Sequence, residues 1–387
     1  MDIMKKYILL NFAYGYGPFL RTTELALSIN DELEKICYER MGIIVPLAYG
    51  EKQKSVMLDA FGDIIRKNSD EIFFDKTLGT LLKSIFYGEK KYKESLIYYL
   101  KNYEALKQKI SGYINHPTIH NYFDKPRKIE KKDITLEVNR CPRVSFGIEP
   151  SYYASFAYVS DIVEGAISHN LKCIDKNIAD KIIPIYKSIE DRQKIHFIAE
   201  PATFSYLKPR KKKYKDETLT PPNIYQKMEI TPKPEKGIYV TVTGIEHLDK
   251  IYQEAKNIGL KIYSNKPESI PGAIYATPSI LNHNNILLHF ARSGWGSIWL
   301  SQMTQTPFIA PQHDPYDDPE IYFNNLCIEK LGLGKVHKNQ KLDVLLEFDS
   351  EYEDNVKKIN DGLIKKYGTL NGVEYTAKKI VNDYISL

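Results

Sequence analysis

Residues Tyr7 to Phe12 form a nearly continuous apolar run of strand length, and a glycine-rich turn follows. Phe19, Ala26, Ile29, Leu33 and Ile36 then recur at helical spacing. Gly42 reads as a helix C-cap, and "MGIIVPLAYG" around it as a second buried strand. Strand, glycine turn, helix and strand make a βαβ unit, which predicts a parallel sheet with a right-handed crossover. From residue 52 to about 114 the pattern is mostly helical, with a short strand at "EIFF", and "KIHFIAE" (194–200) reads as a later strand of the same half.

Between 207 and 236 the character changes. Pro209, Pro221, Pro222, Pro232 and Pro234 are spread through a segment that opens with "LKPRKKKYKDE", which predicts a linker. The alternation then restarts with strand "GIYVTVTG" (237–244), a helix from about 246 to 258, and strands at "KIYSN", "GAIYAT" and "NILLHFA". A helix at "SIWLSQM", a strand at "PFIAP" and helices over 351–367 and 373–386 complete it. The expected architecture is α/β: two doubly wound, Rossmann-like domains facing a cleft, with ligands at the C-terminal ends of the strands. The expected boundaries are 1–206 for the first domain, 207–236 for the linker and 237–387 for the second domain with its terminal helices.

Composition narrows the classes. At 387 residues and 43% hydrophobic, the chain is about twice the usual domain size. The 54 basic and 49 acidic residues nearly balance at +5, and the 29 tyrosines are scattered without a stacking motif, so nucleic acid is not an expected partner. Cys37, Cys141, Cys173 and Cys327 form no CxxC pair, which points away from zinc ribbons and disulfides and toward a reducing, cytoplasmic setting. The opening apolar run is too short for a signal peptide and breaks into Tyr-Gly-Tyr-Gly-Pro, and no stretch approaches the ~20 apolar residues of a membrane helix. The basic cluster reads as a solvated linker, or as a surface for an anionic membrane or polyanionic acceptor; peripheral membrane association therefore stays among the expectations.

The chemistry concentrates in "LLHFARSGWGSIWLSQMTQTPFIAPQHDPYDD" (287–318). A strand ending at Ala291 and a helix beginning near Ser297 leave the first-turn N–H groups facing the turn, where anions bind. Gly294 and Gly296 remove blocking side chains, Ser297 offers an N-cap hydroxyl, and Arg292 supplies a permanently charged fork suited to phosphate. An ordinary capped turn has the same residues. The next strand, however, is followed by Gln312, Asp317, Asp318 and Glu320, then Asn324 and Asn325, groups that hydrogen-bond sugar hydroxyls. A phosphate cradle beside a hydroxyl-reading loop describes a nucleotide sugar.

In order, strand, Arg-Ser-Gly-Trp-Gly-Ser, helix, Thr-Pro, strand, Pro-Gln, acidic loop, Tyr-Phe-Asn-Asn and "KLGLG" resemble the donor half of GT-B glycosyltransferases. Both the UDP-glycosyltransferases and the N-acetylglucosaminyltransferase that makes peptidoglycan lipid II are similar, most clearly over 237–334. Gly294 and Ser297 match the motif glycine and serine, and Arg292 stands where that family usually has His. Glu320, Tyr322 and Asn324 match the acidic or Gln position and the Tyr-Trp-Asn segment of the lipid II enzyme. Thr243 and Gly244 match the turn after the first strand of its second domain. "YGYGPFLRTTELALSI" is similar to its N-terminal glycine loop. The resemblance implies a UDP-sugar donor held by Thr243, Gly244, Arg292, Ser293, Gly294, Trp295, Gly296, Ser297, Gln312, Asp317, Asp318, Glu320 and Asn324. The base would lie in the loop 276–281, and the first domain would bind the acceptor.

One departure bears on mechanism. The loop that often carries a general-base His in that family reads Gly15, Tyr16, Gly17, and a phenol ionising near pH ~10 is a poor base. Glu149 is the candidate base in its place, with Glu200 behind it, since each follows a strand-like run. His116 and His120 have metal-like spacing but enclose Pro117 and lack a third ligand. The run Asp314, Asp317, Asp318, Glu320 lacks the spacing of a calcium loop, so neither metal nor cofactor is expected. Gly15-x-Gly17 is followed by Leu20 rather than a third glycine, which argues against a dinucleotide. The expectation is a metal-independent glycosyltransferase, with an epimerase on the same fold or a non-catalytic nucleotide-sugar-binding subunit as alternatives.

Overall fold

The computed structural model describes residues 5–86, 91–208, 210–224, 233–241, 249–338, 340–347 and 350–387. Strand β1 (Tyr7–Phe12) is buried at every position, as suits a central strand covered on both faces. It pairs in parallel with β2 (Gly42–Pro46). Gly42 opens that strand and does not cap helix α1 (Tyr16–Lys35); a Cβ on it would lie 2.6 Å from the Tyr7 ring.

The first sheet continues through β3 (Ile72–Asp75), β4 (Thr118–Asn121), β5 (Pro126–Lys128), β6 (Ile134–Arg140), β7 (Ser151–Ser155), β8 (Ile195–Ala199) and β9 (Glu217–Thr220). Its order is β5-β4-β3-β2-β1-β6-β7-β8-β9, parallel throughout except that β4 runs antiparallel to both β3 and β5. Its helices are α1, α2 (Gly50–Lys67), α3 (Lys76–Lys83), α4 (Tyr92–Tyr113), α5 (Val159–Ser168) and α6 (Lys176–Glu190). One face, with Ile8, Leu10, Phe12, Leu136 and Val138, packs on Ala26, Ile29 and Met57 from α1 and α2.

The alternate positions of β1 and β6 carry Asn11, Glu137 and Asn139, all buried. Their role follows from the β6–β7 connection, which contains no helix. Buried irregular backbone must find partners. Asn11 Nδ2 donates to Val144 O at 2.8 Å and to Glu137 Oε1 at 3.0 Å, and Glu137 accepts from the amides of Phe146 and Ile148.

The second sheet comprises β10 (Gly237–Thr241), β11 (Lys261–Ser264), β12 (Ile274–Tyr275), β13 (Ile286–Ala291), β14 (Phe308–Pro311) and β15 (Lys335–His337). They run in order β12-β11-β10-β13-β14-β15, all parallel. Helices α7 (Asp249–Asn257), α8 (Trp295–Thr304), α9 (Pro319–Leu331), α10 (Leu342–Leu346), α11 (Ser350–Tyr367) and α12 (Gly372–Tyr384) follow. Among the described residues no helix is long and apolar enough to cross a membrane.

The division into units differs from the expected boundaries. The first unit is Met1–Ala199, Lys211–Asn223 and Val373–Leu387; the second is Glu200–Arg210 and Ile224–Gly372. Residues 211–223, expected in the linker, supply β9, a strand of four residues inside proline-rich, basic sequence that hid it. Residues 200–210 belong to the second unit, where Pro201 O accepts from Trp299 Nε1 at 2.7 Å. Residues 373–387 belong to the first: Asp383 Oδ2 accepts from Lys194 Nζ at 2.6 Å, and Tyr384 Oη donates to Thr135 Oγ1 at 3.0 Å. Helical periodicity shows that a helix has an apolar face, not which sheet that face covers.

Candidate functional site

Strand order reverses in the second sheet between β10 and β13, the point at which open α/β sheets bind ligands, outside the carboxyl ends of the strands. β13 ends at Ala291, so Arg292, Ser293 and Gly294 leave the sheet there. β14 ends at Pro311, which brings Gln312 and the acidic loop in beside them. Thr243 and Gly244, which follow β10, lie outside the described residues.

Helix α8 begins at Trp295 with Gly294 as N-cap, φ −76° and ψ 140°. The expected cap, Ser297, is instead the third helical residue, and its amide donates to Gly294 O at 2.9 Å. The amide of Gly294 donates back to Arg292 O at 2.7 Å, tightening the turn. A Cβ built on Gly294 or Gly296 would meet nothing within 4 Å, and neither residue has a left-handed φ. The fold therefore does not require glycine at either position; what their missing side chains preserve is close approach from outside.

Beneath the turn lies a buried scaffold. Trp295 Nε1 donates to Asn324 Oδ1 and to Thr203 Oγ1, both at 2.9 Å. Asn324 Nδ2 donates to Ser293 O at 2.7 Å and to Glu320 Oε1 at 3.1 Å. Ser293, Trp295 and Asn324, expected to touch the donor, are buried, and their hydrogen bonds hold the turn against α9.

The acidic loop divides likewise. Asp317 Oδ2 accepts from Arg292 Nη2 at 2.5 Å. Asp318 caps α9, accepting from Glu320 N at 2.9 Å, which is a structural role for a residue expected to read the sugar. Gln312 is exposed and Glu320 half-buried. His313, not singled out in the sequence, donates from Nε2 to Asp318 O at 3.2 Å, and burial lowers its pKa. Among the described residues no three His, Cys, Asp or Glu side chains are grouped to hold a metal.

In the first sheet the order reverses between β1 and β6. Gly15, Tyr16 and Gly17 lie beyond the end of β1. Gly15 has φ +115°, a conformation that favours glycine, and its amide donates to Tyr49 Oη at 2.5 Å. The Tyr16 ring packs 5.2 Å from that of Tyr49, and Gly17 is exposed. At the other lip, β6 ends in the buried Arg140, whose guanidinium lies 5.6 Å from the Phe156 ring centre. The alternation of "ITLEVNR" is the signal that would have found this strand and Arg140 with it.

No family model matches the chain. No curated protein matches it. Solved structures do. The calicheamicin glycosyltransferase CalG4 superposes with a TM-score of 0.58 at 12% identity over 99% of both chains. UGT71G1 of Medicago truncatula, solved with UDP-glucose, gives 0.57 at 13% over 98% of both. LpCGTa, solved with UDP, gives 0.60 at 11% over 99% of this chain and 100% of its own.

The fold is GT-B. Likeness to the lipid II-forming enzyme, expected from Tyr322 and Asn324, is not shown by these relatives. Within this GT-B chain neither candidate base is well placed. Glu149 is exposed and precedes β7 by two residues, and Ser151 is in register with Glu137, so Glu149 sits at the edge where the strands start. It is therefore at the opposite edge from the β1–β6 loops, because the β6–β7 connection runs back along the sheet before β7 begins. Glu200 is engaged by Lys366 and Tyr367.

Proposed function

We propose that this chain is a glycosyltransferase that takes its sugar from a nucleotide diphosphate, UDP-linked, and passes it to an acceptor bound by the first unit. The observation that carries the reading is the pair Gly294 and Gly296 at the switch point of the second sheet, where nothing within the protein demands glycine. A diphosphate seated there meets the leading amides of α8, the positive end of that helix, and the guanidinium of Arg292. These groups are fixed before reaction and stabilise the charge that grows as the diphosphate leaves, which makes transfer metal-independent. Gln312, Asp317 and Glu320 face the sugar hydroxyls in this reading.

A thermal-shift panel of nucleoside diphosphates and their sugar conjugates tests it. A ligand at about 100 times its dissociation constant adds ~2.7 kcal/mol. If UDP and UDP-sugars leave the midpoint where it was while other nucleotides raise it, the donor is wrong; if none raises it, the site is wrong. Sugar conversion without any acceptor would indicate an epimerase.

Three observations favour a second reading. Tyr16 occupies the position of the expected His, Glu149 lies at the far edge, and Glu200 is engaged. A non-catalytic subunit that binds the nucleotide sugar has no need of a base. Donor binding without turnover by the pure chain, regained with a partner, supports that subunit.

A further inference from the structure

The segment 207–217 holds six Lys or Arg and two acids, so it carries most of the chain's net charge of +5. From Lys211 on it is an ordered part of the first unit, not a loose tether. The Lys213 ammonium is turned inward: it bonds Asp161 and Ser160, lies 3.4 Å from Glu190 Oε2, and sits 4.9 Å from the Tyr158 ring centre. Tyr214 stacks face to face on His196, centroids 4.2 Å apart and planes 5° from parallel. Directly after it, β9 joins the first sheet. With Lys213 and Tyr214 pinned, Lys211, Lys212 and Lys215 are all exposed on the first unit.

We propose that residues 211–217 are a docking surface for an anionic lipid membrane, independent of the donor reading above. Each Lys or Arg held near such a surface contributes ~1 kcal/mol, so three exposed lysines suffice for weak, reversible, salt-sensitive attachment. Single-stranded nucleic acid fits less well, because it needs open aromatic faces and the Tyr214 ring is already stacked on His196.

Sedimentation with vesicles of phosphatidylcholine alone, or of phosphatidylcholine with phosphatidylglycerol, tests this at low and high salt. The full chain is expected to pellet with the anionic vesicles at low salt and to be released by high salt. The combined variant Lys211→Gln, Lys212→Gln, Lys215→Gln is expected to lose on the order of a hundredfold in vesicle affinity with an unchanged thermal midpoint. A matched variant, Lys125→Gln, Lys128→Gln, Lys132→Gln, removes as much charge from other exposed sites and is expected to lose less than tenfold. Equal pelleting with neutral vesicles overturns the proposal, as does an equal loss in both variants. So does a parent chain that binds heparin but ignores the vesicles, which would assign the segment to a free polyanion.

Discussion

Arg292 Nη2 lies 2.5 Å from Asp317 Oδ2, so the guanidinium assigned to the diphosphate is bonded to a carboxylate of the loop assigned to the sugar. The two side chains are 26% and 38% exposed, and an ion pair that open to solvent contributes at most about 1 kcal/mol. Any phosphate reaching Arg292 must compete with Asp317 or share the cation with it. Asp317→Asn is therefore expected to tighten UDP by up to about fivefold, read by isothermal titration. A weaker UDP complex would mean that Asp317 orients Arg292 for the ligand instead of competing with it.

Asn324 is expected to matter more for stability than for chemistry. It is fully buried and bonds Ser293 O, Trp295 Nε1 and Glu320. Asn324→Leu keeps the volume but strands Ser293 O, and a buried polar group left unpaired costs about 1–3 kcal/mol. Urea unfolding should show that loss, with donor affinity falling as the turn loosens. An unchanged midpoint would show that water or a shift of α9 replaces the bonds.

Glu149→Gln is expected to leave turnover within about twofold of the parent, because surface substitutions away from a site change little. Its exposed carboxyl stands at the edge where β7 begins. A loss of transfer with donor binding intact would restore it as the base and contradict the edge assignment.

These cases show what the sequence made legible. The strand-turn-helix of 287–304 was readable because an apolar run, two glycines and an apolar helix are local signals, and the helix start missed by two residues only because Ser297 looked like a better cap than Gly294. Glu149 misled because "SFGIE" resembles a strand, whereas those residues belong to the irregular β6–β7 connection held by Asn11 and Glu137. The strand before that connection, "ITLEVNR", has polar residues at its covered positions, and a buried strand with three polar side chains does not read as a continuous apolar run. The placement of 373–387 on the first sheet rests on contacts such as Asp383 with Lys194, which are too distant in sequence for periodicity to reveal.

Glu137 gives the first unit a pH dependence. Burial raises its carboxyl to about 7, against donors from Asn11, Ile148 and Phe146 that favour the charged form. The folded chain then holds a proton that the unfolded chain, ionising at 4.5, has released. The contribution is complete below about 4.5 and is lost as pH rises through about 7. Burial lowers His196 to about 4 and His289 to about 3, which acts oppositely until the unfolded imidazoles, ionising at 6.5, have lost their protons, so the Glu137 contribution is read as the difference between parent and variant over about pH 6.5 to 8. There Glu137→Gln is expected to remove a decline on the order of 1 kcal/mol, measured by urea midpoints. An equal slope in parent and variant would assign the decline to other groups.

Arg292 stands where the resembled family has His, and the two side chains differ most in how they respond to pH. An imidazole loses its charge as pH rises through ~6.5, while a guanidinium stays protonated across the working range. UDP affinity of the parent is therefore expected to be nearly flat from about pH 6 to 9, once the ligand's own phosphate titration near pH ~6 is allowed for. Arg292→His should introduce a decline within that window. Arg292→Ala should cost ~1.5–3 kcal/mol at every pH, the range for hydrogen bonds to charged groups. Because Asp317 loses its partner in either variant, the double variant Arg292→Ala, Asp317→Asn separates repulsion by that carboxylate from loss of the guanidinium. Uridine, which has no phosphate, should bind all of these like the parent. If isothermal titration finds uridine and UDP weakened alike by Arg292→Ala, Arg292 supports the turn through Asp317 and the diphosphate lies elsewhere.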